Sequence, residues 1–263
     1  MKRIFWLSIT WCISIFCYAQ PNKAWISRKD ALFTATSSAH INLFVFNNYL
    51  DPRTAAFVLA DRENSFGKIT RYLGIRAKTN VNIFLFPDEP TKYRITGHKG
   101  VGWAFDNNIV EVMNDSTRAD PYHEMVHIIV YTISAPPALI DEGLAVYLSE
   151  KFGSNAFAKL VGQPGHSVDD ILRTLIKKGT FIPIATLVGY TDIGQAANVP
   201  LAYCESASFV KFLVNRYGKN RFLRLLKAAN RDGAINNIAA FKKIYSAGIK
   251  DMQKKWLQHL LKI

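Results

Sequence analysis

His123-Glu124-Met125-Val126-His127, followed by Pro136-Pro137-Ala138-Leu139-Ile140-Asp141-Glu142-Gly143-Leu144-Ala145-Val146-Tyr147-Leu148, is the stretch that decides how the chain reads. On a helix of about 3.6 residues per turn, His123 and His127 leave the same face, so their imidazoles can converge on one ion. Glu124 is turned about 100° from His123 and addresses a water on that ion rather than the ion itself. Pro136-Pro137 stops one helix and lets a second begin, with Glu142 near its start as the candidate third ligand. Two histidines and a glutamate leave a fourth position open for water, as a catalytic zinc requires. A surface helix carrying two histidines by chance would lack the matching surroundings. Here Asp120-Pro121 offers an N-cap and a first-turn proline, and Ile128-Ile129-Val130 continues an apolar helix suited to burial.

Ahead of the motif, residues 40–46 cluster Ile41, Leu43, Phe44, Val45 and Phe46 and read as a first strand. Asp51-Pro52 opens a helix that keeps its apolar period to Leu73 and stops at Gly74. Residues 81–86 form a second strand. Residues 101–105 and 109–113 flank Asp106-Asn107-Asn108 as a hairpin. The strand before the zinc helix is the place where an exposed sheet edge could pair with an extended substrate backbone. Behind the motif, residues 153–167 read as a flexible connection and 169–178 as a short helix, while 181–200 look irregular enough for a lid or cleft wall. From Ala202 the chain reads as helices separated by Gly218 and Gly248.

The chain has 263 residues and opens with Lys2-Arg3, an apolar run from Ile4 to Phe16, and Cys17-Tyr18-Ala19 before Gln20. This pattern predicts a secretory signal peptide over residues 1–19, cleaved after Ala19. The run is shorter than the ~20 residues of a membrane-spanning helix, so the mature chain is expected to be exported, periplasmic or secreted, with no transmembrane segment. The bulk of Phe16 disfavours a lipid anchor at Cys17. Removal of the signal leaves Cys204 without a cysteine partner in the chain, and residues 20–263 must stabilise themselves by packing, as one domain. Cys204 reads as a buried small hydrophobe rather than a nucleophile.

The formal charge is +13, and it is unevenly placed. From Lys211 onward there are thirteen Lys or Arg against only Asp232 and Asp251, whereas residues 4–210 are net neutral. The simpler reading is solvated faces of amphipathic helices; the alternative is weak docking of this basic part, about 202–263, to anionic envelope components. No nucleic-acid-binding motif accompanies the charge.

On three blocks the chain resembles the gluzincin zinc metallopeptidases, and more closely the bacterial exported peptidase MA-like families. These are the His123-to-Leu148 stretch, Ala202-Tyr203-Cys204-Glu205-Ser206-Ala207-Ser208-Phe209-Val210 with Tyr217-Gly218, and Phe241-Lys242-Lys243-Ile244 with Trp256-Leu257-Gln258-His259-Leu260. The resemblance implies an α+β, zincin-like fold: a small N-terminal mixed sheet with an active-site helix, then a mainly helical C-terminal half. It implies Zn2+ held by His123, His127 and Glu142, with Glu124 as general base and proton shuttle acting on a peptide or protein substrate. Relatives take an oxyanion donor from a downstream Tyr or His; Tyr203 is the candidate here, ahead of His98, His166, Tyr147 and Tyr190. His40 and His259 read as structural or surface histidines.

Val146 stands where better-known gluzincins carry a carboxylate that steadies a zinc histidine. Asp141, Glu111 or a backbone carbonyl must then do so. Gly143, inside a helix at a cost of about 1 kcal/mol relative to alanine, is expected to permit close helix packing or to leave room beside the metal. The same zinc triad would serve a hydrolase of cell-wall or other non-protein amides, or survive in a non-catalytic envelope-binding protein. Intact Glu124 favours catalysis.

Overall fold

The computed structural model describes residues 23–77, 79–154 and 156–262, so the expected signal peptide lies outside the described residues. A 3-10 turn over Ala24–Arg28 runs into helix α1 (Lys29–Leu32), and strands β1 (Phe33–Ser37) and β2 (Ile41–Phe46) follow. Helix α2 (Pro52–Leu73), strand β3 (Val81–Phe86), helix α3 (Glu89–Thr96) and the hairpin of β4 (Gly102–Phe105) and β5 (Asn108–Val112) complete the sheet-bearing half. Helices α4 (His123–Tyr131) and α5 (Ala138–Lys151) come next, then the short α6 (Ala156–Leu160), α7 (Val168–Lys177) and α8 (Ile184–Leu187). The chain closes with α9 (Val199–Tyr217), α10 (Lys219–Ala228), α11 (Ala234–Tyr245) and α12 (Ile249–Leu261). This is the expected α+β order of a small mixed sheet, an active-site helix and a helical C-terminal half.

The sheet runs β1-β2-β3-β5-β4, with β2, β3 and β5 parallel and the two outer strands antiparallel to their neighbours. Alternation sorts its two faces by chemistry. Ile41, Leu43, Val45, Val81, Ile83, Leu85 and Ile109 join the large core with the helices, while Phe44, Phe46, Phe84, Phe86 and Val110 form a second layer closed by Trp25 and Phe33. Both faces are buried, which explains why β2 and β3 read as nearly continuous apolar runs. In register across β2, β3 and β5, Asn42 Nδ2 donates to Asn82 Oδ1 and Asn82 Nδ2 to Asn108 Oδ1, both at 3.0 Å.

Helix α2 begins where Asp51 accepts from the amides of Arg53 and Thr54 at 2.9 and 3.1 Å, and ends at Gly74, whose φ of 66° suits glycine. It lays Ala55, Val58, Phe66, Ile69 and Leu73 into the core.

Several local expectations need correction. Residues 33–37 form a strand ahead of the predicted first one; its burial pattern, one buried residue followed by four exposed, gives the sequence no apolar signal. Helix α3 lies where the sequence reading assigned no element; Pro90 stands in its first turn and Asp88 caps it through the Thr91 amide. Residues 153–167 include helix α6, which buries Phe157 and Ala158. Residues 181–200 are not loose: Ile184, Leu187, Val188 and Ile193 are in the core. The N-cap of α4 is Tyr122 rather than Asp120, whose carboxylate accepts from the Tyr122 amide at 2.9 Å and hydrogen-bonds Ser149 of α5.

The C-terminal helices pack around Phe209, Phe241 and Trp256, with Phe209 centroids 6.0 and 5.6 Å from the other two rings. Lys211 of α9 bridges Glu150 of α5 and Asp169 of α7 at 2.8 and 2.9 Å, tying three helices together. Cys204 is buried and free, with its thiol pushed up to about 12 by burial and by nearby carboxylates, so it is no nucleophile.

Candidate metal centre

Helix α4 has nine residues, and its face opposite the histidines, Met125, Ile128 and Ile129, is buried. That burial orients the helix so that His123 and His127 turn together toward α5; their ring centroids are 5.0 Å apart. Pro137 caps α5 with an extended backbone and starts it promptly, so Glu142 comes up in its second turn. Glu142 Oε2 lies 3.2 Å from His123 Nε2 and 3.5 Å from His127 Nε2. One ligand atom from each of the three falls within 4.8 Å of the others.

Glu142 Oε2 is also buried and, among the described residues, makes no hydrogen bond of good geometry. A buried carboxylate oxygen without a donor is costly unless a cation satisfies it. Two imidazole nitrogens and an orphaned carboxylate oxygen converging on one point fit a zinc ion. Burial opposes ionisation of Glu142, but His127 and His123 outweigh it and hold the carboxyl well below its usual range. Burial likewise opposes a charged His127, and Asp141 with Glu142 raises it well above the ordinary histidine value.

Glu124 departs in the other direction. Burial raises its carboxyl above the usual carboxylate range, and the attraction of His123 and His127 only partly offsets that. It sits against the hairpin: a Cβ on Gly102 would come 3.0 Å from Glu124 Oε1. The strand just before α4, β5, is interior to the sheet, contrary to the expectation of an exposed edge there. The edge is its hairpin partner β4, and Gly102 puts that edge beside the carboxylate.

Asp141, one of three expected candidates, is the residue that meets a candidate ligand: its Oδ1 is 2.8 Å from His127 Nδ1. Glu111 instead accepts from Arg62 Nη2 at 2.7 Å, as a buried pair between β5 and α2. Tyr203, in the first turns of α9, has its ring centroid 6.3 Å from that of His123. Tyr147 pairs its hydroxyl with Tyr72 at 3.3 Å, and His98 stacks on Trp103 at 4.5 Å while Lys92 donates to its carbonyl oxygen at 2.7 Å. Tyr190 gives its carbonyl to the Ala138 amide at 3.1 Å, and His166 sits in the turn that closes on the Gln163 carbonyl at 3.2 Å. Of the alternatives, His40 is stacked on Phe66 and bonded to Glu63, and His259 packs beside Phe212, both structural as expected.

Gly143 is explained by close packing. A Cβ there would lie 2.5 Å from the carbonyl oxygen of Ser206 and 2.8 Å from Val210 Cγ2. The contact brings α9, and with it Tyr203, directly against the helix that carries Glu142.

Sequence reasoning missed three groups at this site. Tyr131 lies one turn beyond His127 on the same face of α4, a spacing that could have found it. Arg231 reaches the site from the far end of the chain and left no local signal. Gly102 looked like one glycine among several in a loop.

Two histidines a turn apart on one helix, a glutamate from the next and a further glutamate under a sheet edge have the arrangement of a zincin-type metallopeptidase. The chain belongs to the peptidase MA superfamily, whose family profile matches residues 66–262. Among solved structures it is similar to an M1 zinc metallopeptidase from Deinococcus radiodurans, a mutant bound to a Tyr-Ser-Ala substrate, at 13% identity and a TM-score of 0.48. The match covers 85% of this chain and 50% of that one, so the chain spans about half the length of that relative. Nothing among curated proteins matches the chain.

Proposed function

We propose that the chain is an exported zinc metallopeptidase that hydrolyses peptide bonds, with His123, His127 and Glu142 as metal ligands, Glu124 as general base and Tyr203 as a donor to the developing oxyanion. The observation that carries this reading is the convergence of the three candidate ligand atoms within 4.8 Å of one another. Zinc bound there would polarise the substrate carbonyl and acidify water. Glu124 then accepts the water proton, which its raised pKa favours, and returns it to the leaving amine. Support for Tyr203 as the donor to the oxygen of the attacked carbonyl is its nearness to the site, its ring centroid being 6.3 Å from that of His123. Strand β4 offers unpaired backbone groups along the sheet edge, and an extended substrate pairing there would bring its backbone past Glu124.

Export rests on the signal-like residues 1–19. Among the described residues no helix is long and apolar enough to cross a membrane. Weak docking of the basic C-terminal helices to anionic envelope components belongs to the same proposal; loss of vesicle binding with rising salt would support it, and no binding at low salt would remove it.

The test is zinc content together with cleavage of casein or a broad peptide library, comparing wild type with Glu124→Gln. Zinc in both and turnover only in the wild type supports the reading. Zinc in both with no turnover shifts weight to a non-protein amide substrate or an envelope-binding role, and absence of zinc from both removes the site.

A further inference from the structure

We infer that Tyr131 and Arg231 are positioning residues for the metal, acting through Asp141 on the ligand His127; this rests on the zinc reading above. Asp141 is almost fully buried, and its two oxygens have different tasks. Oδ1 meets His127 Nδ1 at 2.8 Å. Oδ2 accepts from the Tyr131 hydroxyl at 2.6 Å and from Arg231 Nη2 at 2.8 Å. Arg231 Nη2 also donates to the Tyr131 oxygen at 2.6 Å, and its guanidinium carbon lies 5.3 Å from the centre of the Tyr131 ring.

A carboxylate that accepts only from an imidazole can turn about its Cβ–Cγ bond and let the ring swing with it. Two further donors on the other oxygen remove that freedom. His127 is then fixed with its proton on Nδ1 and its Nε2 lone pair aimed at the side where Glu142 waits. The clamp is itself anchored. The Arg231 amide donates to the Ala135 carbonyl in the α4–α5 connection at 2.7 Å, and buried Asn237 of α11 holds the neighbouring Asn230 by two hydrogen bonds of 2.7 and 2.9 Å. Helix α11 is thereby connected to His127 through hydrogen bonds and the Asn230–Arg231 peptide link.

The sign of the effect depends on which variant is made. Removing the guanidinium would delete a positive charge that repels a dication, and this would oppose the loss of positioning. Tyr131→Phe changes no charge, and Arg231→Lys keeps it while losing the planar fork. Zinc affinity is measured by chelator competition on the whole protein, with thermal midpoints of the zinc-loaded and chelated forms alongside. Tyr131→Phe and Arg231→Lys should each weaken zinc binding about three- to ten-fold, below the ten- to hundred-fold typical of a direct partner of a ligand. In an Asp141→Asn background, Tyr131→Phe should weaken it no further. Unchanged affinity in both variants, with midpoints lowered equally with and without zinc, would make the clamp a mere strut and overturn the inference. So would a full additional loss in the Asp141→Asn background. A wild type that binds no zinc overturns this inference together with the proposed function, whereas zinc-binding wild type with unaffected variants overturns this one alone.

Discussion

Glu205 is a carboxyl that the site does not use and the fold nevertheless buries completely, in α9 two residues after Tyr203. One oxygen accepts from the Ile182 amide at 2.9 Å, and the other has no hydrogen-bond partner among the described residues. Burial pushes this carboxyl up to about 8, against an ordinary value of 4.5. Between these two values the folded protein holds a proton that the unfolded chain has released, so stability falls as pH rises from about 4.5 to about 8. Glu205→Gln keeps an acceptor for the Ile182 amide and cannot ionise. Its melting temperature should lose that component of pH dependence, and an unchanged slope across the window would show that Glu205 does not titrate as its burial demands.

Gly102 is a second residue whose smallness has a use. The atom its absent Cβ would meet is the end of a flexible side chain, Glu124 Oε1 at 3.0 Å, so Gly102→Ala should fold with little loss. The carboxylate would give way instead. Turnover should fall about ten-fold or more, since a misplaced general base loses much of its contribution, while zinc content stays as in the wild type. Equal kinetics in the two proteins would mean that Glu124 tolerates displacement and that the edge strand does not set its position.

Between elements, the decisive contact is α5 against α9. Alanine would favour the helix at position 143 by about 1 kcal/mol, but its Cβ would stand 2.5 Å from a backbone oxygen of Ser206 that has no easy way to yield. Overpacking of this kind costs about 1–3 kcal/mol, so the clash should win. Gly143→Ala is expected to lower the melting temperature and, by pushing α9 from α5, to weaken activity more than zinc binding. A stable, fully active Gly143→Ala would show that the helices have slack between them.

At this scale the sequence was most readable where one residue type had one physical meaning. Asp51-Pro52 and Gly74 bound α2 at the residues where a cap, a fixed φ and a left-handed turn were required. The His123, His127 and Glu142 set followed from helical spacing and a proline stop. What escaped was set by partners distant in the chain. β1 is ordered by pairing with β2, because four of its five residues are exposed. The choice of Asp141 over Glu111 depended on Arg62 having taken Glu111, and Arg231 reaches Asp141 across 90 residues of sequence. Residues 181–200 looked loose because their Gly, Asn and Pro mask the few apolar side chains that anchor them.

For the whole molecule, the proposed metal joins two helices whose connection is short and whose packing extends to α9 and, through Lys211, to α7. Ligand binding to the folded state alone adds stability in proportion to the logarithm of free ligand over Kd. Chelation should therefore lower the melting temperature of the entire protein rather than loosen α4 alone, and readdition of zinc should restore it. A midpoint indifferent to chelator would separate the site from global stability. The positive C-terminal part is not all free charge: Lys211, Lys219 and Arg231 are committed to Glu150 and Asp169, to the Tyr72 carbonyl and to Asp141.

The thiol of Cys204 gives the fold a built-in stopwatch. It lies buried in α9, the helix that packs on Gly143 of α5, and an alkylating reagent can reach it only after the fold opens there. The pace of alkylation therefore counts openings of the molecule's centre, and zinc, if it fastens α4 to α5, should slow that count by the same factor with which it favours the closed state.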